Sequence, residues 1–164
     1  MIWPFSRRPA LADARPLYAA LVAEARQPRW YVEAGVPDTL DGRFAVLSTM
    51  MALADLRLGN GGDVARGLSP RLTECFVADM DAQLQQAGLG DPTLGKQVRK
   101  LVATLAHKIE RLRGGDDRDA IARALYGDVE PAPDHLDKAA GYVADFRARL
   151  VASDDTQLSE GSIA

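Results

Sequence analysis

Two histidines, a single cysteine and two near-neighbour aspartates are the side chains here whose types suit chemistry: His107, His135, Cys75, Asp79 and Asp81. A nucleophile works with a base beside it. His107 falls on the charged side of a helical segment and His135 begins another, so both read as solvated surface histidines. Asp79 and Asp81 stand two apart, diverge by about 160° on a helix, and cannot share a substrate as acid and base. Asp81 looks outward with Glu74, whereas Asp79 lies at the margin of the buried side near Leu72 and Cys75, where it either bonds a neighbouring helix or meets a partner. Cys75 reads as a small buried hydrophobe, and one cysteine with two histidines leaves no intramolecular disulfide and no Cys-rich zinc site. No catalytic residue, metal ligand or cofactor is expected.

Two glycine-rich stretches mimic phosphate loops. Gly59-Asn60-Gly61-Gly62 leaves a helix and lacks the lysine-serine/threonine ending, so it reads as a terminator and joint. Gly88-Leu89-Gly90-Asp91-Pro92-Thr93-Leu94-Gly95-Lys96 has the parts of an anion nest, but no strand precedes it to build a nucleotide site.

The elements that position these residues are helical. At 164 residues the chain has the size of one domain, and its 47% apolar and 26% charged composition is that of a folded protein. Apolar residues recur three and four apart in about six segments. They cover residues 13–26, 39–58, 69–88, 92–113, 117–125 and 134–152, with Asp13, Ser69, Asp91 and Asp116 or Asp117 as caps and Pro16, Pro70 and Pro92 in opening turns. Arg29-Trp30-Tyr31-Val32 is too short for a sheet and reads as a packed connector. The second segment is apolar almost all round, with only Asp41, Ser48 and Asp55 as a polar line, which predicts a central helix. The fourth aligns Val98, Leu101, Val102, Leu105, Ile109 and Leu112 on one side; Lys96, Lys100, His107 and Arg111 lie opposite, flanked by Arg99 and Lys108. The expected fold is all-α, a single irregular helical bundle over residues 13–152, with a flexible segment 1–12 and a disordered tail 153–164.

A net charge of -3 supplies no global field toward phosphates, so no DNA partner is expected and RNA binding needs a local patch. No run of 18 apolar residues is present, as a membrane-spanning helix requires. The N-terminus lacks a signal peptide's apolar stretch, giving an expected cytosolic location. Trp3 and Phe5 with Arg7 and Arg8 have the chemistry of a membrane-surface anchor, against the alternative of an ordinary flexible end.

Two blocks carry a resemblance: Pro37-Asp38-Thr39-Leu40-Asp41-Gly42-Arg43-Phe44, and Phe76-Val77-Ala78-Asp79-Met80-Asp81-Ala82-Gln83-Leu84 followed by Gly88-Leu89-Gly90-Asp91 and Gly95-Lys96-Gln97-Val98-Arg99-Lys100. In order and spacing, over roughly residues 15–150, the chain resembles the ubiquinol-cytochrome c chaperone family, departing from it at Gln85 and in the loop 59–62. The resemblance implies a non-enzymatic helical chaperone that binds newly made cytochrome b, or another respiratory membrane-protein client, during assembly of the cytochrome bc1 complex. With no presequence and an alanine-, arginine-, aspartate- and glycine-rich composition, the expected placement is the cytoplasmic side of a bacterial inner membrane, with peripheral contact. The expected contact surface joins Asp38, Asp41, Arg43 and Phe44 with Asp79 and Asp81 and with Lys96, Arg99 and Lys100. The alternative is an RNA- or ribosome-binding module using the basic side of the fourth helix.

Overall fold

The computed structural model describes residues 12–164 apart from 89 and 116. Trp3, Phe5, Arg7 and Arg8 lie outside the described residues, as do Asp116 and almost all of the segment 1–12. Among the described residues are seven α-helices, one π-helical turn and no strand: α1 Arg15–Ala25, the π-turn Arg29–Glu33, α2 Leu40–Gly59, α3 Asp63–Gln86, α4 Asp91–Arg113, α5 Arg118–Tyr126, α6 Pro133–Ala152 and α7 Asp155–Ser159. The all-α bundle expected from periodicity is the observed architecture.

α2 is its axle, as its nearly unbroken apolar surface predicts. It packs against α1, α3, α4, α5 and α6, burying Val46, Met50, Met51, Leu53, Ala54 and Leu58 completely or nearly so. Its N-terminus is held by Thr39, whose Oγ1 accepts from the Gly42 N–H at 3.1 Å. Gly42 is required here, because a Cβ would stand 1.8 Å from the Pro37 carbonyl oxygen folded back over the first turn. The π-turn is a core element: Trp30 is fully buried and donates its indole N–H to the Glu24 carbonyl at 3.1 Å.

Several local expectations are corrected by the structure. Ser69-Pro70 does not open a helix. α3 begins at Asp63 and carries Pro70 within it, with Pro70 on the exposed side so that the carbonyl it cannot serve faces water. Ser69 instead donates its hydroxyl to Asp55 on α2. The N-cap position of α4 is occupied by Gly90, and Asp91 is the first helical residue.

Ser48 and Lys108, expected on polar surfaces, are buried together between α2 and α4. Lys108 follows Leu101 by seven residues and so lies within about 20° of it, on the side α2 covers. Conversely Leu40, expected in the core, is 61% exposed.

The C-terminal segment 153–164 is folded, not disordered. Asp154 forms a capping box with Gln157, Leu158 is buried, and Ile163 packs on the core. The segment is anchored by Arg57, which donates to the carbonyls of Leu150 (3.2 Å) and Ser153 (2.8 Å) and to Asp155 Oδ1 (3.0 Å). Asp155 Oδ2 accepts the Gly62 N–H at 2.8 Å, so the glycine loop is clamped at the start of α3. That bond, then Arg57, holds the Asp155 carboxyl below its ordinary range. A depressed carboxylate stabilises the fold above the ordinary range and loses that contribution on acidification. Gly161 (φ +77°) brings the tail against α1, where a Cβ would meet the Pro16 carbonyl oxygen at 2.5 Å. Leu158→Ala is expected to lower unfolding stability by about 2 kcal/mol in urea titrations, the low end for a buried leucine because a terminal helix can detach. An unchanged midpoint would mean that α7 contributes nothing to the folded domain.

Candidate functional site

The ends of four helices and the π-turn converge on one open groove, with a volume of about 250 Å³. α1 ends on it with Val22, Ala25 and Arg26, and the π-turn adds Tyr31. The first two turns of α2 supply Leu40, Asp41, Arg43, Phe44 and Leu47. α3 contributes Asp79, Met80, Gln83 and Leu84, and α4 contributes Gln97 and Leu101. The floor is apolar and the rim mixes both charges.

The floor is rigid. Phe44 packs on Phe76 with ring centroids 6.0 Å apart. Tyr31 donates its hydroxyl to the Ala25 carbonyl at 2.6 Å, and burial pushes its phenol up. Tyr18 donates to Asp79 Oδ2 at 2.6 Å and Gln83 Nε2 donates to Asp79 Oδ1 at 3.1 Å, so both oxygens of Asp79 are engaged within the protein. Burial, then the Asp79 bond, raises the Tyr18 phenol well above its ordinary value. At the rim, Arg43 Nε donates to Asp38 Oδ1 at 2.7 Å. Arg43 thereby lowers the Asp38 carboxyl, yet both side chains are more than half exposed and the pair is worth little to stability.

Behind the floor lies Lys108. Its ammonium donates to the Ala45 carbonyl (2.9 Å) and Ser48 Oγ (2.7 Å), with Thr49 Oγ1 at 3.5 Å, and sits 5.8 Å from the centroid of the Phe44 ring. No carboxylate pairs with it among the described residues. Burial, with Arg111 adding to it, lowers its pKa to about 7.

Of the contact residues expected from sequence, Asp41, Arg43, Phe44 and Asp79 line the groove, and Asp38 reaches it through Arg43. Asp81 does not; it accepts from Gln85 Nε2 at 3.1 Å on its own helix. Lys96, Arg99 and Lys100 are exposed on another side of α4. Sequence reasoning missed Arg26, Tyr31, Gln97 and the groove roles of Met80, Leu84 and Leu101. Leu101 was placed on the apolar side of its segment, and a helix wider in apolar residues than its core contacts require was the available signal.

His107 and His135 are exposed, and no cluster of three or more histidines, cysteines or carboxylates able to hold a metal occurs among the described residues. Cys75 is half-buried, with its thiol pushed up first by burial and then by Asp13. No helix among the described residues is long and apolar enough to cross a membrane.

A crystal structure described as that of the Cbp3 homolog from Brucella abortus is similar to this chain, with a TM-score of 0.77 and 29% identity over 91% of this chain and 86% of that one. No curated protein matches the chain. The family model described as "Ubiquinol-cytochrome C chaperone" matches residues 32–164, which span the groove apart from the end of α1 and Tyr31 of the π-turn. The chain belongs to the ubiquinol-cytochrome c chaperone family.

Proposed function

We propose that this protein is a non-enzymatic assembly chaperone for the cytochrome bc1 complex, and that the groove holds an apolar segment of newly made cytochrome b. The reading is supported by family membership and by the likeness to the Brucella abortus protein. The observation that carries it to a site is the groove itself: an apolar floor in which Phe44, Leu84 and Leu101 are partly exposed above buried Leu47 and Met80, ringed by Arg26, Asp41 and Arg43. A membrane protein outside the bilayer needs its apolar surface covered, and its basic cytoplasmic loops meet an acidic group such as Asp41 favourably. On this reading the protein works at the cytoplasmic face of a bacterial inner membrane, with Asp38 and Asp41 as contacts for the client and Asp79 as the residue that fixes one wall.

The test is co-purification of cytochrome b from the solubilised native membrane fraction. Leu84→Asp combined with Leu101→Asp puts two charges on a half-exposed floor; because Leu101 also packs on the core, thermal unfolding is measured alongside to confirm that the variant is folded. Capture is expected to fall at least about tenfold, since burying an unpaired carboxylate against an apolar client costs more than 1.4 kcal/mol. Wild-type recovery with this variant would remove the groove as the client site.

A second reading, RNA or ribosome binding, is favoured by the exposed cations of α4, Lys96, Arg99, Lys100 and Arg111, which have no ion-pair partner among the described residues. Binding through phosphates collapses as salt rises to moderate ionic strength, whereas capture in an apolar groove persists.

A further inference from the structure

We propose that the exposed basic face of α4 is a docking surface for an anionic lipid bilayer. Lys96, Lys100, His107 and Arg111 fall within about 60° of one another at 3.6 residues per turn, with Arg99 beside them, and the row is roughly 22 Å long. All five are exposed. The carboxylate nearest the row on this helix, Glu110, is paired with Arg113 at 2.9 Å. Lys96, Arg99, Lys100 and Arg111 have no such partner among the described residues. In a chain of net charge -3 these cations are concentrated on one side of one helix.

Shape and composition favour a bilayer over nucleic acid. The row is straight, as a planar sheet of headgroups requires, and α4 carries no Phe, Tyr or Trp on which bases could stack. Lysine and arginine stems reach headgroup depth while Ala103, in the middle of the row, leaves the approach open.

The placement also orients the rest of the molecule. Gln97 and Leu101, which line the groove, lie roughly a quarter turn around α4 from the row. With the row against headgroups, the groove opens sideways along the membrane surface, where an emerging transmembrane segment is met. The lipid contact itself does not depend on which client the groove takes.

The experiment is vesicle flotation of the full chain at low salt, with vesicles of phosphatidylcholine and phosphatidylglycerol at three to one, vesicles of phosphatidylcholine alone, and a duplex RNA of random sequence. Lys100→Glu with Arg111→Glu is compared with a pair of equal charge change on other helices, Arg123→Glu with Lys138→Glu; all four positions are exposed, so folding is spared. The wild type is expected to favour the anionic vesicles over the neutral ones about 100-fold or more. Each basic residue near such a surface is worth about fivefold, so the α4 pair is expected to lose about 25-fold and the control pair less than about threefold. Equal losses from both pairs, retained flotation of the α4 pair, no preference for the anionic vesicles, or retention by RNA without flotation would each overturn the proposal. The α4 pair is expected to capture detergent-solubilised cytochrome b normally and the Leu84/Leu101 pair to float normally, so the two sites fail separately.

Discussion

Lys108→Met is expected to raise unfolding stability by about 2–4 kcal/mol near pH 6 and by much less above about pH 10. Lys108 is only 7% exposed, and its cation is held by hydroxyl and carbonyl oxygens without a carboxylate. Burial lowers its pKa from 10.5 to about 7. Between those two values the unfolded chain carries a proton that the native chain has released, so native stability rises with pH across that window. Below about pH 7 the native state carries the full cost of an unbalanced buried charge, and there methionine, similar in length and free of charge, gains most. Ser48 and Thr49 keep partners in the variant, because they donate to the Phe44 and Ala45 carbonyls at 2.7 Å each. Urea titrations of both proteins at about pH 6 and pH 10 check this; a difference independent of pH would show that Lys108 is solvated in the native state.

A lysine that destabilises its own fold calls for a reason, and its neighbour suggests one: Phe44, over which the ammonium sits, is part of the groove floor. A Lys108→Met protein that is more stable but captures less cytochrome b would tie the buried charge to the groove.

Trp30→Ala is expected to cost about 4 kcal/mol and to lower Tm by roughly 8–16 °C. Trp30 is fully buried, and its ring meets Tyr142 edge to face with centroids 5.7 Å apart and planes at 76°. The Arg29 guanidinium lies 4.8 Å from the Tyr142 ring centroid, and Glu24 binds both Arg29 and Arg149. Among the described residues Arg29 Nε is buried without a hydrogen-bond partner, so the guanidinium is stabilised by the rings, by Glu24 and by Asp145 at 3.8 Å. Removing the indole opens a cavity where α1, the π-turn and α6 meet and leaves the Glu24 carbonyl without its donor. Val32→Ala, two residues on and 76% exposed, is the control and is expected to change stability by less than about 0.5 kcal/mol. A Tm shift below about 2 °C for Trp30→Ala would contradict the core role of the π-turn.

Local chemistry determined much of this protein. Periodicity of three and four residues and glycines between segments are properties of the backbone and its immediate neighbours, so six of the seven α-helices, most of their ends and the central position of α2 were legible in the sequence, while the start of α3 and the whole of α7 were not. The block from Pro37 to Phe44 was singled out by resemblance, whereas its Thr39 cap and the close fit of Gly42 under the Pro37 carbonyl emerged only from the fold. What sequence reading placed wrongly was decided between elements distant in the chain. Ser69 answers to Asp55, residues 153–164 to Arg57 and Gly62, and Lys108 to Ser48, partners that no local pattern reveals.

The groove belongs to the same class. Leu84 and Leu101 have the spacing of core residues, and only the way the helix ends diverge leaves them half-exposed. Helix formation is set over a few residues, whereas exposure is a property of the whole packed surface; the sequence by itself determined the helices, and the tertiary structure alone decided which of their apolar faces remained open to another molecule.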